Sequence, residues 1–93
     1  MSTDLLHPLL QRPLELHPQV ALRPEPFGAL AYHYGNRRLV FLKHADMVAV
    51  ARQLGDHPSL SAALRAVGVA ESRWASFAKA FESLLSSEVV RER

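Results

Sequence analysis

Two short apolar runs separated by the segment Tyr34-Gly35-Asn36-Arg37 constrain this sequence more than any other feature. Gly-Asn is a dipeptide that tolerates the positive φ angles of a tight β-hairpin. Residues 28–34 and 38–43 are therefore predicted to form a hairpin with a two-residue turn at Gly35-Asn36. The strand 38–43 is the last of its sheet in sequence, and we expect it to be an edge strand.

A turn of that length decides which residues lie opposite each other. Tyr32 is predicted to pair with Leu39, and Leu30 with Phe41, on one face of the hairpin. The residues of the other face are Ala29, Ala31, His33, Arg38, Val40 and Leu42. Both faces are apolar enough to require cover, which is unusual for a small antiparallel sheet.

One more strand is expected before the hairpin. Val20–Arg23 is a short apolar run that ends at Pro24 and Pro26. Because proline lacks the N–H donor of a paired strand, we expect the strand to stop there.

The second half of the chain has helical periodicity. Apolar residues at helical spacing predict helices over about 45–54, 59–67 and 71–86, with Ser59 as an N-cap and Gly55 and Gly68 as stops. Val89 and Val90 are expected to anchor the C-terminal tail. The predicted fold class is α+β, winged helix-turn-helix-like, with a three-stranded antiparallel sheet followed by three helices.

Residues 1–15 form an arm rich in leucine and proline, and we predict one folded domain over 16–93. The prolines exclude a long helix and favour extended backbone. We expect Leu5–Leu16 to cover the Tyr32/Leu39/Phe41 face, or to compete for a peptide groove. A disordered terminus is the alternative.

Composition excludes several function classes. Eleven Lys and Arg face nine Asp and Glu, and a net charge of +2 predicts no strong attraction to nucleic acid. The chain has no cysteine, its five histidines form no i,i+4 pair, and its four glycines form no phosphate loop. We therefore expect no metal, no cofactor and no enzymatic activity.

No segment has the pattern of a signal peptide or the length of a membrane span. The expected location is the cytoplasm, without membrane association. A monomer is expected, with a dimer as the alternative.

These exclusions leave the backbone edge of strand 38–43 as the main candidate site. An edge strand can accept an extended peptide as an added strand, and a neighbouring groove then selects its side chains. The candidate residues are Arg38, Leu39, Val40, Phe41, Leu42, Trp74, Phe77 and Ala78. For Trp74, Phe77 and Phe81 a plain core role is the competing interpretation.

The helix–turn–helix at 59–86 leaves a second interpretation open, namely a winged-helix DNA-binding or structural module. Arg37, Arg38 and Arg73 would then contact phosphate. The outward positions of the third helix are nearly neutral, however, and lack the basic footprint of a recognition helix.

The run 16–43 closely resembles the mycofactocin biosynthesis peptide chaperone family, within the PqqD-like precursor-peptide recognition elements. Its specific parts are Arg23-Pro24-Glu25-Pro26-Phe27-Gly28-Ala29 and Arg37-Arg38-Leu39-Val40-Phe41-Leu42-Lys43. The resemblance is good over 16–70 and continues to about 90. The Val-x-Leu-Asn pattern of the wider group stands here as Val40-Phe41-Leu42-Lys43, so Lys43 replaces the asparagine and Val40 and Leu42 should face the helices.

The resemblance implies a non-catalytic peptide chaperone, a recognition element for ribosomally synthesised, post-translationally modified peptides. It would bind the leader of a precursor peptide as an added strand beside the third strand and against the third helix. Its second partner would be a radical S-adenosylmethionine (SAM) maturase, which modifies the C-terminal Val-Tyr of the precursor.

Overall fold

The computed structural model describes residues 7–93. Its strands are β1 (Leu14–Leu16), β2 (Val20–Glu25), β3 (Gly28–His33), β4 (Leu39–Leu42) and β5 (Val90–Glu92). Its α-helices are α1 (Ala45–Gln53), α2 (Leu60–Val67) and α3 (Trp74–Ser86), and short 3-10 helices cover Pro8–Gln11, Leu54–Asp56 and Glu71–Arg73. The antiparallel sheet β2-β3-β4, followed by three helices, confirms the predicted α+β class.

The register of the hairpin is as predicted. Tyr32 lies opposite Leu39, and Leu30 lies opposite Phe41. These side chains share the outer face of the sheet, away from the helices. The inner face is buried and carries small residues, among them Ala29 and Ala31, which let α1 approach β3 closely.

The turn of the hairpin differs from the prediction. The loop spans four residues, 34–37, and closes with the N–H of Arg37 donating to the carbonyl of His33 at 2.8 Å. The positive φ angle belongs to Arg37, at 62°, and not to Gly35-Asn36. Two and four are both even, so the longer loop leaves every side chain on its predicted face.

Side chains hold this loop in place. The Nδ1 atom of His33 accepts the N–H groups of Gly35 and Asn36 at 3.0 and 3.1 Å. The amide of Asn36 donates to Glu88 at 3.0 Å, and its oxygen accepts the N–H of Arg38 at 2.9 Å. The loop is thereby tied to the turn that follows α3.

The first strand of the sheet continues through its proline, which corrects the predicted end at Pro24. Pro24 lies opposite Ala29 within β2. The N–H of Tyr34 donates to the carbonyl of Gln19 at 2.8 Å, and strict alternation from that pair places the nitrogen of Pro24 on the outer side of the strand. A proline there removes no hydrogen bond of the sheet, because β2 is an edge strand.

The helices begin and end close to the predicted positions. Ser59 caps α2, since its hydroxyl accepts the N–H of Ala62 at 3.2 Å, and Gly68 ends it in the left-handed region at φ 92°. Gly55 does not stop α1 in this way. The chain tightens into the 3-10 turn Leu54–Asp56 instead.

The described part of the N-terminal arm packs in the core, which corrects the predicted arm location. Leu9, Leu10 and Leu14 are buried in the same cluster as the sheet and helices. The 3-10 helix Pro8–Gln11 lies against α2 and α3, and the outer sheet face is not covered by it. Residues 1–6, which include Leu5 and Leu6 of the predicted cover, lie outside the described residues.

The two ends of the described chain pair with each other, an arrangement that was not predicted. Strand β1 runs antiparallel to β5, with Leu14 opposite Glu92 and Leu16 opposite Val90. Val89 and Val90 are buried, so the expected anchor of the tail is confirmed. In this small second sheet β5 lies against α3, and β1 lies against α1 and the 3-10 helix Leu54–Asp56.

Replacing Gly28 by alanine should destabilise the fold strongly. Gly28 has a φ of 149°, and a Cβ atom there would lie 2.0 Å from the carbonyl oxygen of Leu42. Strain and a backbone clash together predict a loss of about 2–4 kcal/mol in the free energy of unfolding, measured by urea titration. Gly55→Ala is the matched control, because nothing lies within 4 Å of its added Cβ. Equal unfolding midpoints for the two variants would contradict this account.

The buried arm makes a second prediction. Leu10 is 1% exposed, so Leu10→Ala should lower the free energy of unfolding by about 2–5 kcal/mol through loss of apolar burial and a cavity. Leu39→Ala, on the exposed outer face, should cost well under half of that. A Leu10→Ala protein as stable as wild type would show that the arm lies outside the core.

Candidate functional site: the free edge of β4 and the groove beside α3

Among residues 7–93, strand β4 pairs with a strand on one side only, and that strand is β3. The N–H of His33 donates to the carbonyl of Arg38 at 3.0 Å, which places Arg38 in a hydrogen-bonded pair with β3. Alternation along an antiparallel ladder then turns the backbone groups of Val40 and Leu42 toward β3. The N–H and C=O groups of Leu39 and Phe41 point the other way, to the free edge.

The opposite edge of the sheet is much less available. The outward positions of β2 are Val20, Leu22 and Pro24 by the same alternation. The N–H of Val20 already donates to the carbonyl of His17 at 2.9 Å, and Pro24 has no N–H. Within residues 7–93, Leu22 is the one residue of these three that retains an outward donor. An incoming strand therefore has a regular row of partners at β4 but not at β2.

A groove runs between β4 and α3, below the free edge. We call this depression of about 320 Å³ the β4–α3 groove; its walls are Val40, Phe41, Leu42, Lys43, His44, Met47, Ala80, Ser83 and Leu84. Most of these side chains are apolar or small, and the volume is at the lower end of the range for ligand sites. The groove is sized for a few side chains and not for a large cofactor.

A second depression continues the groove toward the start of α3. It has a volume of about 210 Å³ and shares His44, Met47 and Ala80 with the β4–α3 groove, adding Arg73, Ser76 and Phe77. The guanidinium of Arg73 is held there by Asp46 at 3.0 Å and lies 5.2 Å from the centre of the Phe77 ring. The two depressions together form one trough along α3.

The outer face of the sheet carries exposed aromatic and aliphatic side chains. Phe27, Tyr34, Leu39 and Phe41 are 43%, 63%, 58% and 59% exposed. The rings of Phe27 and Phe41 meet edge to face at 5.5 Å, and with Lys43 they line a shallow depression of about 440 Å³. Four exposed large apolar side chains on one sheet face are typical of an interaction surface.

The structure brings most of the predicted site residues together. Val40, Phe41 and Leu42 line the β4–α3 groove and Phe77 lines its continuation. Leu39 on β4 and Arg38 directly before it are exposed. Val40 packs against the core and Leu42 is buried in it, so both face the helices as predicted.

Trp74 and Ala78 are placed differently. The indole N–H of Trp74 donates to the carbonyl of Val69 at 2.9 Å, and the guanidinium of Arg65 lies 5.2 Å from its ring. Both Trp74 and Ala78 are buried, and neither lines the groove or its continuation. They hold α3 against the core.

Sequence reasoning missed Met47, Ala80 and Ser83 as groove residues. A signal existed, because Ser76, Ala80 and Ser83 follow each other at helical spacing on the side of α3 away from its most buried positions. Small residues in such a row allow close approach of a partner. Met47 lies in the apolar stripe of the helix predicted over 45–54, and that pattern indicates a core position.

Residues 7–93 contain no cluster of three or more His, Asp or Glu side chains that could hold a metal ion. No helix in this part of the chain is long and apolar enough to cross a membrane.

Comparison with known proteins places the chain in a family. The model of the peptide chaperone MftB family matches residues 13–91. Proteins named "Peptide chaperone MftB" from Mycobacterium ulcerans and Mycolicibacterium smegmatis are 51% and 49% identical over 75 residues, covering 81% of this chain and 69% and 74% of theirs. The protein of that name from Mycobacterium tuberculosis is 45% identical over 78 residues, 84% of this chain and 72% of its own. No solved structure matches the chain.

These names describe a non-catalytic role, in agreement with the expectation that the chain is not an enzyme. They also support a peptide-binding chaperone role, which suits a sheet with a free edge beside an apolar groove. The family match covers residues 13–91, and the three relatives are 45–51% identical to this chain, which shows common descent. The chain belongs to the peptide chaperone MftB family.

Proposed function

We propose that this protein binds the leader of a ribosomally synthesised precursor peptide as an added strand on β4 and delivers it to a radical SAM maturase in mycofactocin biosynthesis. The observation that carries the proposal is the free edge of β4 lying beside the β4–α3 groove. Family membership and the resemblance of residues 16–43 supply the pathway and the enzyme class.

Strand addition assigns separate roles to backbone and side chains. The outward N–H and C=O groups of Leu39 and Phe41 would pair with the leader and supply affinity. Side chains of the leader alternate between faces, so every second one would enter the groove against Val40, Leu42 and Ala80. These residues, with Arg38 and Phe77, form the proposed peptide site. Trp74 and Ala78 would support it from the core.

Delivery needs a surface that stays accessible while the leader is bound. A strand added to β4 lies in the plane of the sheet and extends its outer face. Phe27, Tyr34 and Phe41 lie on or beside that face and are exposed, so they are the part of the chain that we assign to contact with the maturase.

Proline at position 41 tests strand addition directly. Phe41→Pro removes an N–H that points to the free edge, so it should weaken leader binding by about tenfold or more while leaving the pairing with β3 intact. Binding is measured by fluorescence anisotropy with the labelled leader, and delivery by the rate at which the maturase modifies the precursor. Both should fall together.

Phe41→Ala is the control, because it removes the ring but keeps the backbone N–H. Proline at Val40 would be a poor test, since that N–H points toward β3 and its loss would damage the sheet. If Phe41→Pro binds the leader as tightly as Phe41→Ala does, the leader does not pair with β4.

A second change tests the groove wall. Ala80→Gln places a longer side chain in the trough without lowering helix propensity much. Displacing one apolar side chain of the leader should weaken binding by about tenfold or more. Ala66→Gln, at an exposed position of α2, should leave affinity unchanged. Equal affinity for both variants would place the leader elsewhere.

A further inference from the structure

In the part of the chain that the structure describes, positive charge without a carboxylate partner lies at both ends of β4. Arg38 precedes the strand and Lys43 follows it, and both are exposed. Neither takes part in an ion pair within residues 7–93, and the same holds for Arg37 in the loop and for Lys79, which precedes Ala80 on α3. The rim of the peptide site is therefore basic.

The acids carried by the surrounding elements contact groups other than the side chains of Arg38 and Lys43. Glu25 of β2 lies 3.2 Å from Arg23, and Asp46 of α1 lies 3.0 Å from Arg73. Glu82 of α3 lies 3.1 Å from His7, and Glu88 accepts a hydrogen bond from Asn36 at 3.0 Å. None of these contacts neutralises Arg38 or Lys43. The chain as a whole is nearly neutral, so this concentration of unbalanced charge is local.

The two cations are placed on opposite faces of the strand. Arg38 has the parity of Val40 and Leu42, which face the helices, whereas Lys43 has the parity of Phe41 and lines the outer depression with Phe27. Lys43 lies five positions after Arg38 in the sequence, which is about 17 Å in extended backbone. A partner strand in register would have to present one negative group on each face at that separation.

We infer that the segment bound at β4 is acidic as well as apolar, with carboxylates about five residues apart that reach Arg38 and Lys43. This inference rests on the proposed function and names the chemistry of the leader that the site selects. Apolar side chains between the two acids would fill the β4–α3 groove.

Arg38 and Lys43 would contribute mainly to the selectivity between acidic and basic peptides. Ion pairs between exposed groups contribute little affinity, but like charges in the same positions are unfavourable. A leader with Lys or Arg at these positions would be rejected, and an acidic one would be attracted to the basic rim before it pairs.

The test uses two labelled peptides: the precursor leader, and a twin in which every Asp and Glu is replaced by Asn and Gln. Their affinities are measured with wild type, with the double variant Arg38→Gln/Lys43→Gln, and with Arg52→Gln/Arg65→Gln as a charge-matched control. At low ionic strength the native leader should bind wild type about three- to tenfold more tightly than its twin. The double variant should lose this preference and the control should keep it.

Other outcomes overturn the inference in distinguishable ways. Equal binding of leader and twin to wild type, still abolished by Phe41→Pro, removes the acid preference and leaves strand addition standing. A preference for the leader that survives in the double variant assigns it to other cations. A leader that does not bind wild type at all removes the proposed function together with the inference.

Discussion

The structure depends on one asymmetry of backbone hydrogen bonding. Every second residue of β4 hydrogen-bonds to β3. The alternate residues, Leu39 and Phe41, direct their N–H and C=O groups to an edge that no strand within residues 7–93 covers. Exposed edges favour aggregation, and proteins commonly block them. This chain blocks the other edge, at β2, with Pro24 and the turn at His17 but leaves β4 available. Unpaired N–H and C=O groups on one edge are what an added strand needs in order to bind.

The rest of the fold keeps that edge next to a groove. The N-terminal segment contributes Leu9, Leu10 and Leu14 to the core and pairs with the C-terminal strand. The 3-10 helix Pro8–Gln11 and β5 both contact α3, near Glu82 and Leu85 and not at the β4–α3 groove. The indole of Trp74 fixes the start of the helix through Val69. On the other side of α3, the row of Ser76, Ala80 and Ser83 lines the trough.

Much of this could be predicted from the sequence, because it follows from local pattern. The hairpin register was predicted correctly although the predicted turn was two residues too short, since loops of two and four residues have the same parity. Ser59 and Gly68 acted as expected because capping depends on neighbouring backbone alone. The same local logic identified Val40 and Leu42 as helix-facing.

The errors came from long-range packing. Pro24 stays within a strand because β2 is an edge, and edges are defined by the whole sheet. The arm joins the core, and pairing of β1 with β5 across almost the entire chain has no local signal. Trp74 could equally have lined a groove or filled the core, and only the position of Val69 decides between them.

Amide hydrogen exchange of β4, in the free protein and with the precursor leader added, tests the central claim most directly. In the free protein Val40 and Leu42 should already be protected, because their N–H groups face β3, while Leu39 and Phe41 exchange rapidly. Saturation with the leader should protect Leu39 and Phe41 and leave the other two nearly unchanged. If Leu39 and Phe41 still exchange at their free rates while amides elsewhere respond, the leader does not bind as an added strand.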